Sequence, residues 1–171
     1  MNSHLEQLQQ ALAAAIDGMN EAEMNWHPPG KWCAAEVLEH LYLTYTGTVK
    51  GFERVMQAGR PLTSVPTLAQ RGRSLLVLGF GYLPRGRTAP ANTRPRGLAV
   101  ETVRNGIIPK ITELDEIIAG CERRWGPRDK LLDHPILGPL NARQWRKFHL
   151  IHGLLHVQQI QRLRQEREAP K

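Results

Sequence analysis

Two histidines near the C-terminal end have the spacing that lets one helix offer two nitrogen ligands to a metal ion. His152 and His156 lie in an amphipathic stretch, residues 148–160, and four residues make about one helical turn. Both imidazoles therefore project from one face. A third histidine, His40, lies far upstream in a stretch that is also helical in pattern. If the two helices face each other, three imidazoles can hold a divalent metal and leave one coordination position open.

The spacing alone leaves two interpretations of the pair open. A histidine near an apolar helix face is usually a hydrogen-bonded core or border residue. Burying two rings without partners costs roughly 1–3 kcal/mol each, and a metal ion relieves that cost. His149 lies about 10 Å from His156 along the helix axis, so we expect it at the rim of the site or behind the ligands. The remaining histidines lie in terminal or loop segments, where surface positions are expected: His4, His27 and His134.

The elements that must position these residues are predicted from helical periodicity of the apolar residues. Ser3 with Glu6 has the form of a capping box at the first helix, and Cys33 stands three residues before Glu36 at the second. Pro109 is expected to kink or split the third helix. The predicted helices cover about residues 3–19, 34–57, 98–123 and the stretch that follows the cap residue Asn141.

A long connection, residues 60–97, is rich in glycine and proline and contains at most a short helix around 68–80. Strand alternation is nowhere sustained, and no internal repeat is present. The sequence therefore predicts an all-α, up-down four-helix bundle with a long crossover segment. We expect one domain over residues 1–171, with a disordered tail at about 167–171.

Composition excludes several classes of protein. The 171 residues are 41% hydrophobic and 23% charged, which is typical of an ordered globular domain. The longest apolar run, residues 75–83, is too short to span a bilayer, and the N-terminus lacks a secretion signal. We therefore expect a cytoplasmic protein with no membrane partner. The two cysteines, Cys33 and Cys121, are expected to be free structural thiols.

The net charge of +7 raises the possibility of nucleic acid or an anionic ligand as partner. No zinc-finger, helix-turn-helix or RNA-binding signature accompanies the charge, so a nucleic-acid partner is not expected. An arginine-rich lid that attracts an anionic small-molecule substrate is one interpretation, and an ordinary solvated loop is the other. The arginines that crowd the middle of the chain are Arg71, Arg73, Arg85, Arg87, Arg94, Arg96 and Arg104.

Three motifs together resemble the DinB-like superfamily of four-helix-bundle metal-dependent enzymes, of the DinB or DUF1569 type. They are WHPPGKWCAAEVLEHL at 26–41, DHPILGPLNARQW at 133–145, and the pair His152 and His156 followed by Gln159. The resemblance covers essentially the whole chain. It implies that His40, His152 and His156 are the metal ligands. Cys33 departs from the serine of many relatives, but no ligand is missing.

The resemblance further implies a metal-dependent enzyme, either a thiol S-transferase or a hydrolase, and a homodimer. Three neutral imidazoles suit zinc, with nickel, iron or manganese as alternatives, and a low-molecular-weight thiol is a plausible cofactor. Glu36 and Gln159 are the candidate catalytic side chains; a capping role for Glu36 and a structural role for Gln159 are the alternatives. The competing hypothesis is a non-enzymatic bundle that binds a metal or an anion, or dimerises.

Overall fold

The computed structural model describes residues 1–84, 86 and 88–168. Within this part of the chain, four long helices form an all-α bundle, which confirms the predicted fold class. Its elements are α1 (Ser3–Ile16), α2 (Glu21–Asn25), α3 (Ala34–Ala58), α4 (Leu68–Ser74), α5 (Val100–Trp125), β1 (Leu132–His134), β2 (Gly138–Leu140) and α6 (Ala142–Glu168). The predicted disordered tail falls partly on residues 169–171, which lie outside the described residues.

Capping side chains set where the helices begin. Asn2, rather than the predicted Ser3, caps α1, because its side-chain oxygen accepts from the His4 amide at 3.1 Å. At α3 the predicted capping box is present: Cys33 Sγ accepts from the Glu36 amide, and the Glu36 carboxylate accepts from the Cys33 amide at 2.8 Å. These bonds satisfy amides that would otherwise lack partners in the first helical turn.

The third long helix, α5, is not split at Pro109, because helical backbone continues on both sides of it up to Trp125. A proline removes one backbone hydrogen bond. The fully buried side chains of Ile107 and Ile111 hold the two flanking turns against the core. Tertiary packing therefore overrides the local break that the sequence suggests.

Contacts between the long helices show in which direction each one runs. Tyr42 near the start of α3 lies against Gly106 near the start of α5, and Gly59 just after α3 approaches Arg124 at the end of α5. The two helices therefore run parallel. Along α6, Gly153 lies against Leu8 of α1, and α6 runs antiparallel to α3. The chain thus goes up, down, down and up, and residues 59–99 return it to the end where α3 began.

The crossover contains short regular pieces. Helix α4 continues into a π-helical turn, Leu75–Gly79, and a 3₁₀ turn covers Ala91–Thr93. A hairpin of two three-residue strands, β1 and β2, precedes α6. Leu62 of the crossover forms a parallel β-bridge with Leu132, the first residue of β1. Strands this short do not show sequence alternation, which explains why the hairpin was not predicted. Among the described residues, the helices include none with the length and hydropathy needed to cross a bilayer.

A buried ion-pair network fixes α6 against α5. Arg146 is 4% exposed, and its guanidinium donates to Asp115 at 2.7 Å and to Glu122 at 2.6 Å. The second oxygen of Asp115 accepts from the Asn2 amide at 2.7 Å. Breaking a buried pair of this kind typically costs about 3–5 kcal/mol, so the network strongly opposes sliding of α6. The heights of His152 and His156 in the bundle follow from this register.

Candidate metal centre

The three histidines singled out in the sequence converge on one point between α3 and α6. His40 lies in the second turn of α3, while His152 and His156 lie one turn apart on α6. The Nε2 atom of His152 is 3.4 Å from Nε2 of His40 and 3.2 Å from Nε2 of His156. One ring nitrogen from each of the three residues lies within 4.8 Å of the others. His40 is buried and the two α6 histidines are half-buried, so the group lies at the border of the core.

The two separations of 3.2 and 3.4 Å match a metal site better than a hydrogen-bonded cluster. Zinc–imidazole bonds of about 2.0–2.1 Å in tetrahedral geometry place ligand nitrogens about 3.3 Å apart. Neutral N–H···N bonding can join His152 to only one of its two neighbours at a time, because its Nε2 carries at most one proton. Three ring nitrogens that face one point are therefore best satisfied by a cation.

The opposite ring nitrogens of two of these histidines are held by acceptors. His40 Nδ1 donates to the Thr93 carbonyl oxygen at 2.8 Å, and His156 Nδ1 donates to Gln159 Oε1 at 3.0 Å. A proton on Nδ1 leaves Nε2 with a free lone pair. The two contacts therefore select the tautomer that a metal ligand needs and fix the orientation of each ring.

His152 is held by packing rather than by a hydrogen bond. Its ring stacks on Phe148 with centroids 5.6 Å apart and an interplanar angle of 8°. Its Nδ1 atom is buried and has no hydrogen-bond partner within the described part of the chain. Trp32 packs against His40, with the two ring centroids 5.4 Å apart.

The electrostatic environment keeps the three rings uncharged near neutral pH. Burial lowers the pKa of His40, and burial followed by the charge of neighbouring histidines holds the pKa of His152 well below 6.5. Burial, with His40 as the second cause, lowers the pKa of His156 to about 4. Neutral imidazole is the form that binds a metal, so the site needs to release no ring proton to do so at pH 7.

Glu39, which sequence reasoning missed, fastens the crossover beside the site. Its side chain is 2% exposed, and one carboxylate oxygen accepts from the Arg96 amide at 2.7 Å. The other oxygen accepts from the amides of Gly97 and Leu98 at 3.1 and 3.2 Å. The segment so anchored includes Thr93, whose carbonyl holds His40. The position of Glu39 directly before His40 was the only signal for its role. Its partners are backbone amides, and a sequence does not show which backbone amides a side chain will meet.

The two candidate catalytic side chains occupy different positions. Glu36 forms the capping box of α3 with Cys33, the alternative that the sequence had left open. Gln159 contacts the site through His156. Both cysteines, Cys33 and Cys121, are buried free thiols as predicted.

The structure excludes one of the two positions expected for His149 and the surface position expected for His134. His149 is fully buried and does not lie at the rim, and its ring stacks on Trp145 and meets the edge of Tyr45. Burial, with His134 as the second cause, lowers its pKa to about 3. His134 is buried rather than on the surface, because its ring packs against Trp145 and Phe148 of α6, while its Nδ1 accepts from the amides of Ile136 and Leu137 inside the β1–β2 turn.

The side chains of the arginines near the site donate to backbone carbonyls of the crossover segment in which they lie. Arg94 donates to the Ala89 carbonyl at 2.9 Å, and Arg96 donates to the Asn92 carbonyl at 3.2 Å. These bonds stiffen the loop around Thr93. The arginines at 85 and 87, which belong to the predicted arginine-rich lid, lie outside the described residues.

Residues 1–163 match the model of a protein family described as protein of unknown function (DUF1569). This confirms the DUF1569 type that the sequence motifs suggested. No curated protein matches the chain, and no solved structure matches it.

Proposed function

We propose that this chain, which belongs to the DUF1569 family, binds one divalent metal ion through His40, His152 and His156. The observation that carries the proposal is the approach of three Nε2 atoms, with two separations of 3.2 and 3.4 Å, while two of the opposite Nδ1 atoms are committed to acceptors. Zinc suits three neutral imidazoles best; nickel, iron and manganese are alternatives.

The proposed activity is that of a metal-dependent enzyme, a thiol S-transferase or a hydrolase. A divalent ion with three protein ligands and an open position can supply Lewis acidity toward water or a thiol. The resemblance of the three sequence motifs to the DinB-like superfamily supports this class of chemistry. The predicted low-molecular-weight thiol, small anionic substrate and homodimer belong to the same proposal.

The protein's own residues have distinct roles in this proposal. Thr93 and Gln159 orient the rings of His40 and His156, so Gln159 is a positioning residue. Trp32 and Phe148 limit access of water around the ligands. Glu39 keeps the crossover segment, and with it the Thr93 carbonyl, in place.

Metal analysis of the untagged protein tests the proposal. We expect about one equivalent of metal per chain after dialysis, and absorption typical of tetrahedral coordination when cobalt replaces it. Replacement of His40, His152 or His156 by alanine should each abolish stoichiometric binding. His27→Ala removes an exposed histidine and serves as the matched control, which should keep the metal. Stoichiometric binding in the triple histidine variant would overturn the proposal. Full occupancy without turnover of thiol or ester substrates would support the non-enzymatic alternative.

A further inference from the structure

The crossover presents an apolar face to solvent along helix α4 and the π-helical turn that follows it. Its inner side is anchored, because Val77 and Leu78 are buried in the core. On the outer side, Leu68 is 85% exposed and Phe80 is 75% exposed. Exposed apolar side chains grouped in this way mark an interaction surface. The apolar face consists of Leu68, Leu75, Leu76 and Phe80, and the exposed Tyr82 follows it.

Two arginines flank this apolar face. Along α4, at about 100° per residue, Leu68 lies between Arg71 on one side and Arg73 on the other, and the exposed apolar residues of the π-helical turn follow directly. Both arginines are exposed. An apolar stripe between basic margins is the pattern of a helix that lies in the plane of a membrane surface, with its long basic side chains reaching the phosphates.

The charge of the whole segment indicates the sign of the partner. Eight of the chain's 23 lysines and arginines lie between residues 54 and 100, and none of its 16 acidic residues does. The rest of the chain has 15 basic and 16 acidic residues, so residues 54–100, the end of α3 and the crossover, account for the whole of the net charge of +7. The partner of this surface must accept apolar side chains and carry negative charge at the same time.

We propose that the apolar face docks on the surface of a bilayer that contains anionic phospholipids. A second copy of the chain fits less well, because a symmetric contact would bring two basic segments together and residues 54–100 contain no acidic residue to pair with them. Nucleic acid would satisfy the arginines but would leave the leucines and Phe80 without an apolar partner. The expectation of no membrane partner rested on the lack of a spanning segment, and docking at the interface does not require one.

Vesicle flotation tests this docking. The full chain should float with phosphatidylcholine vesicles that contain phosphatidylglycerol and stay unbound with pure phosphatidylcholine. Leu75→Ser with Phe80→Ser should lower the partition coefficient at least about tenfold. Arg71→Gln with Arg73→Gln should lower it about thirtyfold, from roughly 1 kcal/mol per arginine. Because both pairs are exposed, circular dichroism should show unchanged helix content.

Matched controls test whether the loss of vesicle binding is specific to the apolar face, rather than a result of removing any exposed apolar side chain or any positive charge. Ile136→Ser removes a partly exposed apolar side chain from the hairpin, and Arg128→Gln with Arg162→Gln removes two exposed positive charges elsewhere. Both controls should bind anionic vesicles nearly as the native chain does. Equal losses in the controls, or absence of native binding, would overturn the proposal. It would also be overturned by a stable dimer that Leu75→Ser with Phe80→Ser dissociates, or by tighter binding to DNA than to vesicles.

Discussion

Replacing Glu39 by glutamine keeps the size of a buried side chain but removes the charge that accepts from three consecutive backbone amides. The carboxylate bonds measure 2.7 Å to Arg96, 3.1 Å to Gly97 and 3.2 Å to Leu98. A glutamine has one acceptor oxygen, so at least one amide N–H must face the new NH₂ group. A hydrogen bond to a charged group contributes about 1.5–3 kcal/mol. Because residues 96–98 are exposed, water compensates in part, and we expect a loss of about 2 kcal/mol in the free energy of unfolding.

Urea denaturation measures this loss, and hydrogen exchange at the amides of residues 96–98 locates it. Glu36→Gln is the control on the same helix, since Glu36 also accepts one backbone amide, but glutamine serves equally well in a capping box. That control should cost less than about 0.5 kcal/mol. Cobalt or zinc affinity should fall roughly tenfold in Glu39→Gln, because the Thr93 carbonyl that orients His40 loses its support. Equal destabilisation in both variants, or unchanged exchange at 96–98, would refute this reasoning.

Two further predictions concern the core beneath the histidines. A methyl group on Gly153 would lie 2.2 Å from Leu8 Cδ1, so Gly153→Ala should lower the free energy of unfolding by about 1–3 kcal/mol. The control Gly47→Ala meets open space and should be neutral or stabilising. Equal thermal midpoints for the two variants would contradict this packing. Burial lowers the pKa of His149 to about 3, so the unfolded chain takes up its proton first and stability falls as the pH drops below about 6.5. Between pH 6 and 4, the free energy of unfolding of His149→Phe, measured by urea titration, should fall less steeply than that of the native protein, by up to about 1.4 kcal/mol per pH unit. The same slope against pH in both proteins would contradict this prediction.

The sequence predicted that His40, His152 and His156 could lie together because each of its signals is local. Four-residue spacing places His152 and His156 on one helix face in any bundle, and His40 lies beside a long apolar stripe that must be buried. Helix positions followed for the same reason, since apolar periodicity and capping residues act within a few residues. The convergence of the rings then follows from antiparallel packing of α3 against α6.

The features that were missed depend on partners distant in sequence. Glu39 resembles any acidic residue on a helix until the backbone of residues 96–98 arrives from the crossover. His134 was expected on the surface because a three-residue strand leaves no periodic pattern, and the rings that cover it, Trp145 and Phe148, belong to α6. The parallel direction of α3 and α5 could not be predicted, because it depends on where the long irregular segment between them ends.

The acceptor that orients His40 is a main-chain carbonyl, and this affects how the site can be mapped by mutation. Thr93→Ala removes the hydroxyl that donates to the Pro90 carbonyl at 3.2 Å but keeps the carbonyl that accepts from His40, so an alanine scan across the loop would not reveal that contact. Detecting the contact requires a backbone change, such as an ester in place of an amide, or displacement of the whole loop through Glu39.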